Sequence, residues 1–224
     1  MYSYFDSVTV VAGDDIHKYL LVMSISWSAS QRYGIAPAPG GLALVHDFLN
    51  TRDIAGYGPD LLADPTLARD WVAGAVRAWS AARGVELPPP VLGETDLVRL
   101  RALRSRIGSL VAGEPASGRD GGPVPASLRI SDAGEVRLDP AGTGWRWLAS
   151  ALWAEILLSQ HADTWRRLKQ CHNHRCASTF YDRSKNNSGV WHDVKTCGNA
   201  ANLRASRARR RERERATGSA DAPR

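Results

Sequence analysis

The first 170 residues of this 224-residue chain contain no cysteine. Methionine occurs only at Met1 and Met23, which leaves Met23 as an alternative start of translation, and phenylalanine occurs three times. Long apolar runs are also missing. The longest, around Tyr19–Met23, falls far short of the roughly 20 residues that span a bilayer. No Lys/Arg-led leader with a cleavage site precedes it, so the expectation is a cytoplasmic protein that does not enter a membrane. A glycine-rich phosphate loop, a nucleophile elbow and a His-Glu-x-x-His pair are all absent, and no enzyme is expected. His172-Asn173-His174 spells the name of a nuclease motif, but that motif's residues are scattered over a longer hairpin–helix unit. Wholesale disorder is excluded by an apolar fraction of 43%.

Charge is unevenly divided. Residues 1–163 carry 14 Lys/Arg against 18 Asp/Glu, a balance of −4, and residues 164–224 carry 15 against 5, a balance of +10. The positive excess therefore belongs to the C-terminal quarter, which points to an anionic partner for that end.

The three cysteines fall in that same quarter. Cys171-x4-Cys176 is followed after fifteen residues by His192-x4-Cys197. Tetrahedral zinc takes thiolate and imidazole ligands in two pairs, each held by a short turn, and soft sulfur disfavours magnesium or calcium. A Cys3His site for one structural Zn²⁺ is the expectation. A disulfide is the weaker alternative, because three cysteines leave one over. The two knuckles bracket a strand expected over 177–181, turn-rich Asp182-Arg183-Ser184 and Asn186-Asn187-Ser188-Gly189, and Trp191, which is expected to pack on the zinc turn. Gly198 permits the second close turn, and Asn199 is a candidate cap for the helix that follows.

That helix, expected over 200–216, carries seven arginines against two glutamates, and Leu203 is its one large apolar residue. Arg204, Arg207, Arg211 and Arg215 recur at three- to four-residue intervals along one side, with Arg209, Arg210 and Arg213 flanking. A helix with no apolar face to bury reads as a DNA-binding element, with a solvated charged face as the alternative. Asn202 is the candidate for an adenine contact.

Cys171-x4-Cys176, Phe180-Tyr181-Asp182-Arg183-Ser184, Trp191-His192 and Cys197-Gly198-Asn199 together resemble the CGNR zinc finger of bacterial regulators. His192 stands where that family usually has cysteine, an exchange zinc accepts. Ala200 replaces the motif's arginine, whose detailed role does not carry over, and Gly189-Val190 occupies a place where basic residues are common. The resemblance implies transcriptional regulation.

Before the finger the chain reads as helical. A strand at Val8–Ala12 and a turn at Gly13-Asp14-Asp15 are the only signals in a poorly defined N-terminal segment, residues 1–40. Pro37 to Gly41 form a turn before a helix from Leu42 to Asn50, with Leu42, Val45, Phe48 and Leu49 on one face. His46, off that stripe, reads as a surface or packing histidine. Asp47-Phe48-x-Asn50-Thr51 resembles the Asp-Phe-x-Asn-Thr signature of the ABATE-type domain that precedes such fingers in stress-induced transcription regulators. Two readings stay open there: Asn50 and Thr51 bond backbone at the helix end, or Asp47 and Asn50 sit at the mouth of a small-ligand pocket.

A second helix starts at Asp64-Pro65 and stops at Gly84, burying Leu67, Trp71, Val72, Ala75 and Trp79. A third, capped by Thr95 or Asp96, buries Leu97, Leu100, Leu103, Ile107 and Leu110, with arginines 99, 101, 104 and 106 on a solvated face. A loop over 113–125 leads to a β-hairpin built on Leu128, Ile130, Val136 and Leu138, and a fourth helix spans Trp145–His161.

The expected fold is mainly α with a small β-hairpin: a helical sensing or dimerising domain at 41–163, a treble-clef-like zinc finger at 164–216, and a disordered tail at 217–224. The expected partners are DNA, a small-molecule effector and a second copy of the chain. The competing class is a zinc-stabilised module that grips RNA or an acidic protein.

Overall fold

Helix α2 (Leu42–Leu49) has no solvent-facing side: all eight of its residues are buried. The computed structural model that shows this describes residues 27–54, 58–114 and 122–220, with side chains through Glu212. The strand expected at Val8–Ala12, the adjoining turn and Met23 lie outside the described residues. About half the chain is helical, with two small antiparallel hairpins, so the protein is mainly α with a small β part.

Four helices build the body around α2: the short α1 (Ser28–Gln31), α3 (Pro65–Ala82), α4 (Glu94–Ala112) and α5 (Gly144–His161). Asp64 caps α3, accepting from Thr66 N and Leu67 N at 2.8 and 2.9 Å, and Pro65 sets its first turn. The cap of α4 differs from expectation. Gly93 is the N-cap, and Asp96 reaches back one turn to accept its amide at 3.0 Å. Trp71, Val72, Trp79, Leu100, Ile107, Leu148 and Leu152 fill the core between these helices. Glu155 of α5 is buried among them. It accepts from Trp79 Nε1 at 2.8 Å and pairs with Arg83 at 2.7 Å, so the charge enters the core already partnered.

The first hairpin pairs β1 (Ala126–Ile130) with β2 (Val136–Pro140), Leu128 opposite Leu138 and Ile130 opposite Val136. The hairpin expected from alternation is present, but its apolar face does not pack on the core. Instead Leu128, Ile130 and Val136 are exposed, while Asp139 is buried and pairs with Arg129 at 2.7 Å. Arg83 Nη2 donates to Leu138 O at 2.8 Å, so a polar clamp fixes the hairpin to the body.

The second hairpin, β3 (Leu168–Gln170) with β4 (Thr179–Tyr181), belongs to the finger and docks directly on α2. The Asn50 amide pairs with both backbone groups of Thr179, accepting from its N at 2.9 Å and donating to its O at 2.9 Å. His46 Nε2 lies 2.9 Å from the same carbonyl, and its Nδ1 accepts from Ala38 N at 3.1 Å. Helix α2 thus serves β4 as a neighbouring strand would. The division expected at residue 163 is crossed by buried hydrogen bonds, because a helix end supplies the partners that a strand edge needs. Among the described residues no helix is long and apolar enough to cross a membrane.

Candidate metal centre and its basic helix

The first knuckle is the turn between β3 and β4. Cys171 N donates to Ser178 O at 2.8 Å, and Cys176 N to Asn173 O at 2.7 Å. Ala177 takes a left-handed backbone, φ 50°, to close the turn.

The chain returns to this knuckle through a loop organised by Asp182. Its carboxylate is buried and accepts from Ser184 N at 2.8 Å, Gly189 N at 2.7 Å and Lys169 Nζ at 2.8 Å. Burial pushes this carboxyl up, but Lys169 and the two amides outweigh it and hold it far below the usual carboxylate range. A Cβ on Gly189 would meet Asp182 Oδ1 at 2.8 Å, so glycine is required there. The Asp and Ser of the Phe-x-Asp-x-Ser segment therefore fold the loop that presents His192.

The second knuckle is helical from its start. Asp193 caps a π-helical turn, Val194–Gly198, accepting from Lys195 N at 2.7 Å, and the turn runs without a break into α6 (Asn199–Ala220). Asn199, expected as a cap, is the first residue of α6, and the helix extends four residues beyond its expected end. Cys197 thus projects from the root of α6 itself. Trp191 packs over this turn, 3.2 Å from where a Cβ on Gly198 would sit.

Cys171, Cys176, His192 and Cys197 bring their ligand atoms within 4.8 Å of one another. His192 Nδ1 is 3.4 Å from Cys176 Sγ and 3.6 Å from Cys197 Sγ. Zinc–ligand bonds of roughly 2.0–2.3 Å in a tetrahedron separate ligand atoms by about 3.3–3.8 Å. The set fits one structural zinc, with every coordination position supplied by protein. His172 is outside it, edge-on to Trp191, and so is His174.

Electrostatics favour metal uptake. The Cys176 thiol is held well below the usual thiol range, first by the hydrogen bond from Cys171 and then by His192 and Ser178. Cys171, which holds the proton in that pair and is buried, is pushed up. A zinc ion bound here would displace that shared proton, and Cys171 and Cys176 would hold it as thiolates. Asn173 Nδ2 donates to Cys197 Sγ at 3.2 Å, the kind of outer hydrogen bond that orients a ligand.

Asn173 also holds the helix. Its Oδ1 accepts from Arg204 Nη2 at 2.7 Å, so Arg204, expected on a DNA-facing row, is turned back onto the knuckle. An α-helix turns about 100° per residue, which sets Asn202 and Arg209 about 160° and 140° from Arg204. They face away from the zinc. Arg207 and Arg211 lie within about 60° of Arg204. Asn202, Arg207, Arg209, Arg210 and Arg211 are all exposed. The side chain of Arg215 lies outside the described residues.

The pocket reading of Asp47 and Asn50 is corrected by burial, since both are 0% exposed. Asp47 accepts from Ser30 N and Trp71 Nε1, both at 2.8 Å, and Asn50 is committed to Thr179 and Ser30. Thr51 Oγ1 donates to Phe48 O at 2.6 Å, the local bond expected at a helix end. The Asp-Phe-x-Asn-Thr segment is thus a packing hub with no free valence for a ligand. His46 is the packing histidine, and burial pushes it down to about 4.

Residues 167–210 match the family model described as the CGNR zinc finger. The match covers the finger and the first half of α6 and leaves the helical body outside it. No curated protein matches the chain.

Proposed function

We propose that this chain is a zinc-dependent DNA-binding regulator of transcription, with the finger presenting α6 to duplex DNA and the helical body receiving the signal. One observation carries the reading: a helix that carries seven arginines, rooted at zinc ligand Cys197 and exposed from Asn202 to Glu212. Such a helix has no apolar face to bury, Leu203 being its one large apolar side chain. Its charge is complementary to a phosphate backbone, and a rigid root gives it a fixed direction. In this reading zinc is structural and the chain is not an enzyme, since no position remains on the metal to activate water. Asn202 and Arg209, on the side away from the knuckle, face the groove. Arg207 and Arg211 reach flanking phosphates, and Arg204 keeps the helix at its angle.

The experiment is a titration of labelled duplex DNA at several salt concentrations. Replacing Arg207, Arg209 and Arg211 together by Gln should flatten the log–log salt slope by about 2–3 units. Arg204→Gln should weaken binding with a smaller change of slope, because it positions the helix without touching phosphate. Unchanged affinity and slope in the triple variant would remove α6 from DNA binding. Preference for structured RNA over every duplex would move the finger to the RNA-binding class.

A further inference from the structure

The helical body, whose sequence is net acidic, brings three arginines together where no carboxylate among the described residues pairs with them. Residues of α4, α5 and the segment Gly122–Pro125 line a cleft of about 560 Å³. Its walls carry Arg99 and Arg106 from α4 and Trp145, Arg146 and Trp153 from α5, with no aspartate or glutamate among the lining residues. Helical spacing explains the convergence. Positions 99 and 106 are seven apart on one helix, and 145 and 153 are eight apart on the other, so each pair lies on one face.

The other arginines of α4 do not behave this way. Arg104 pairs with Asp60 and donates to Thr51 Oγ1 at 2.8 Å, and Arg101 donates to Leu62 O. Arg99, Arg106 and Arg146 pair with no carboxylate among the described residues. Two of them stack instead: Arg106 Cζ lies 5.6 Å from the centroid of Trp153, and Arg146 Cζ 5.2 Å from that of Trp145. Stacking fixes the plane of a guanidinium and leaves its N–H edge free to form paired bonds with a carboxylate. Between those edges the wall is apolar, formed by Leu103, Ala149 and the exposed Val124.

We propose that this cleft binds an organic anion with a flat apolar body, an aromatic carboxylate in chemical class. The carboxylate meets the guanidinium edges, and the ring system lies along the indoles and Leu103. Inorganic phosphate would leave the apolar wall uncovered, and a neutral aromatic would leave three cations without a counter-charge. The volume falls within the range of small-ligand sites. The cleft lies in the body and shares no residue with the finger, so ligand binding there can be measured with no DNA present.

The test is calorimetric titration of the full, zinc-loaded chain with 2-naphthoate, using 2-naphthamide and acetate as controls, with no DNA present. Saturable binding at one site per chain is expected, at least tenfold tighter for naphthoate than for naphthamide, with no saturation by acetate. Arg99→Gln with Arg106→Gln should weaken naphthoate at least tenfold, and Arg69→Gln, an exposed arginine elsewhere, should leave it unchanged. A thermal melt of each variant checks that the fold survives. Equal binding of naphthoate and naphthamide, no saturable binding of naphthoate, or equal binding by a folded double variant would each overturn the proposal.

Discussion

The helical body and the finger are held by different forces. The body buries large apolar side chains such as Trp79, Phe48, Leu100 and Leu148, and at about 25 cal/mol per Å² such burial dominates its stability. The finger has almost nothing comparable. Its buried cluster holds the three metal-site cysteines and Phe180, and the remaining members, Tyr33, Ile35 and Ile54, are lent by the body. Tyr33 also donates to Arg52 O at 2.8 Å, and burial pushes its phenol up to about 12. A segment this small depends on metal and on a neighbour. The comparison teaches that the finger, with little core of its own, rests on α2 through buried hydrogen bonds to Thr179.

The largest effect expected from this comparison is loss of the metal. Cys197→Ser removes a ligand and the root of α6 together, and structural zinc contributes on the order of 10 kcal/mol of folding free energy in finger peptides. Metal analysis should fall from one zinc per chain to none, with helical circular dichroism reduced by the melting of α6. Because β4 docks on α2, the melting temperature of the body should drop as well. A body that melts at an unchanged temperature would make the two regions independent.

A smaller effect is expected at the junction. Asn50→Ala leaves the buried N of Thr179 without its side-chain partner and its O with His46 alone, a loss of about 1–3 kcal/mol. Chemical denaturation should report it as a lower midpoint with an unchanged slope. If Asn50 served a ligand instead, the substitution would leave unliganded stability intact.

An effect of similar size, confined to acid, is a pH dependence. His46 is held neutral at about 4, below the usual 6.5 of an unfolded chain. The unfolded state therefore takes up the proton first. Stability from this group is complete above pH 6.5 and is lost as pH falls from 6.5 towards 4, by up to ~3 kcal/mol. The difference in stability between wild type and His46→Gln, followed over that window with zinc saturating, isolates this contribution. A difference that does not change with pH would show that His46 titrates normally.

The legible parts of the sequence were those whose physics is local. Cys171-x4-Cys176 and His192-x4-Cys197 declared the metal site because ligand spacing is a short-range constraint, and Asp64-Pro65 declared the start of α3 for the same reason. Leu97, Leu100, Leu103 and Ile107 marked the buried side of α4 through their period alone. What stayed hidden depends on partners far along the chain. His46 and Asn50 look like loose polar residues until Thr179, more than 125 positions away, arrives to bond them. Arg204 looked like one more cation in a charged row, since nothing local announces its bond to Asn173. The orientation of the β1–β2 hairpin was hidden in a different way. Alternation correctly separated its two faces, but only the Arg83–Asp139 side of the body decides which face turns inward.

The central claim is that one zinc ion organises both ends of the finger, the root of α6 and the strand docked on α2. Hydrogen exchange during zinc titration of the metal-free full chain tests it most directly. The account predicts that amides at the start of α6 and the amide of Thr179 become protected together, reaching full protection at one equivalent of zinc. Protection of Thr179 before any metal is added, with α6 alone responding to zinc, would contradict it.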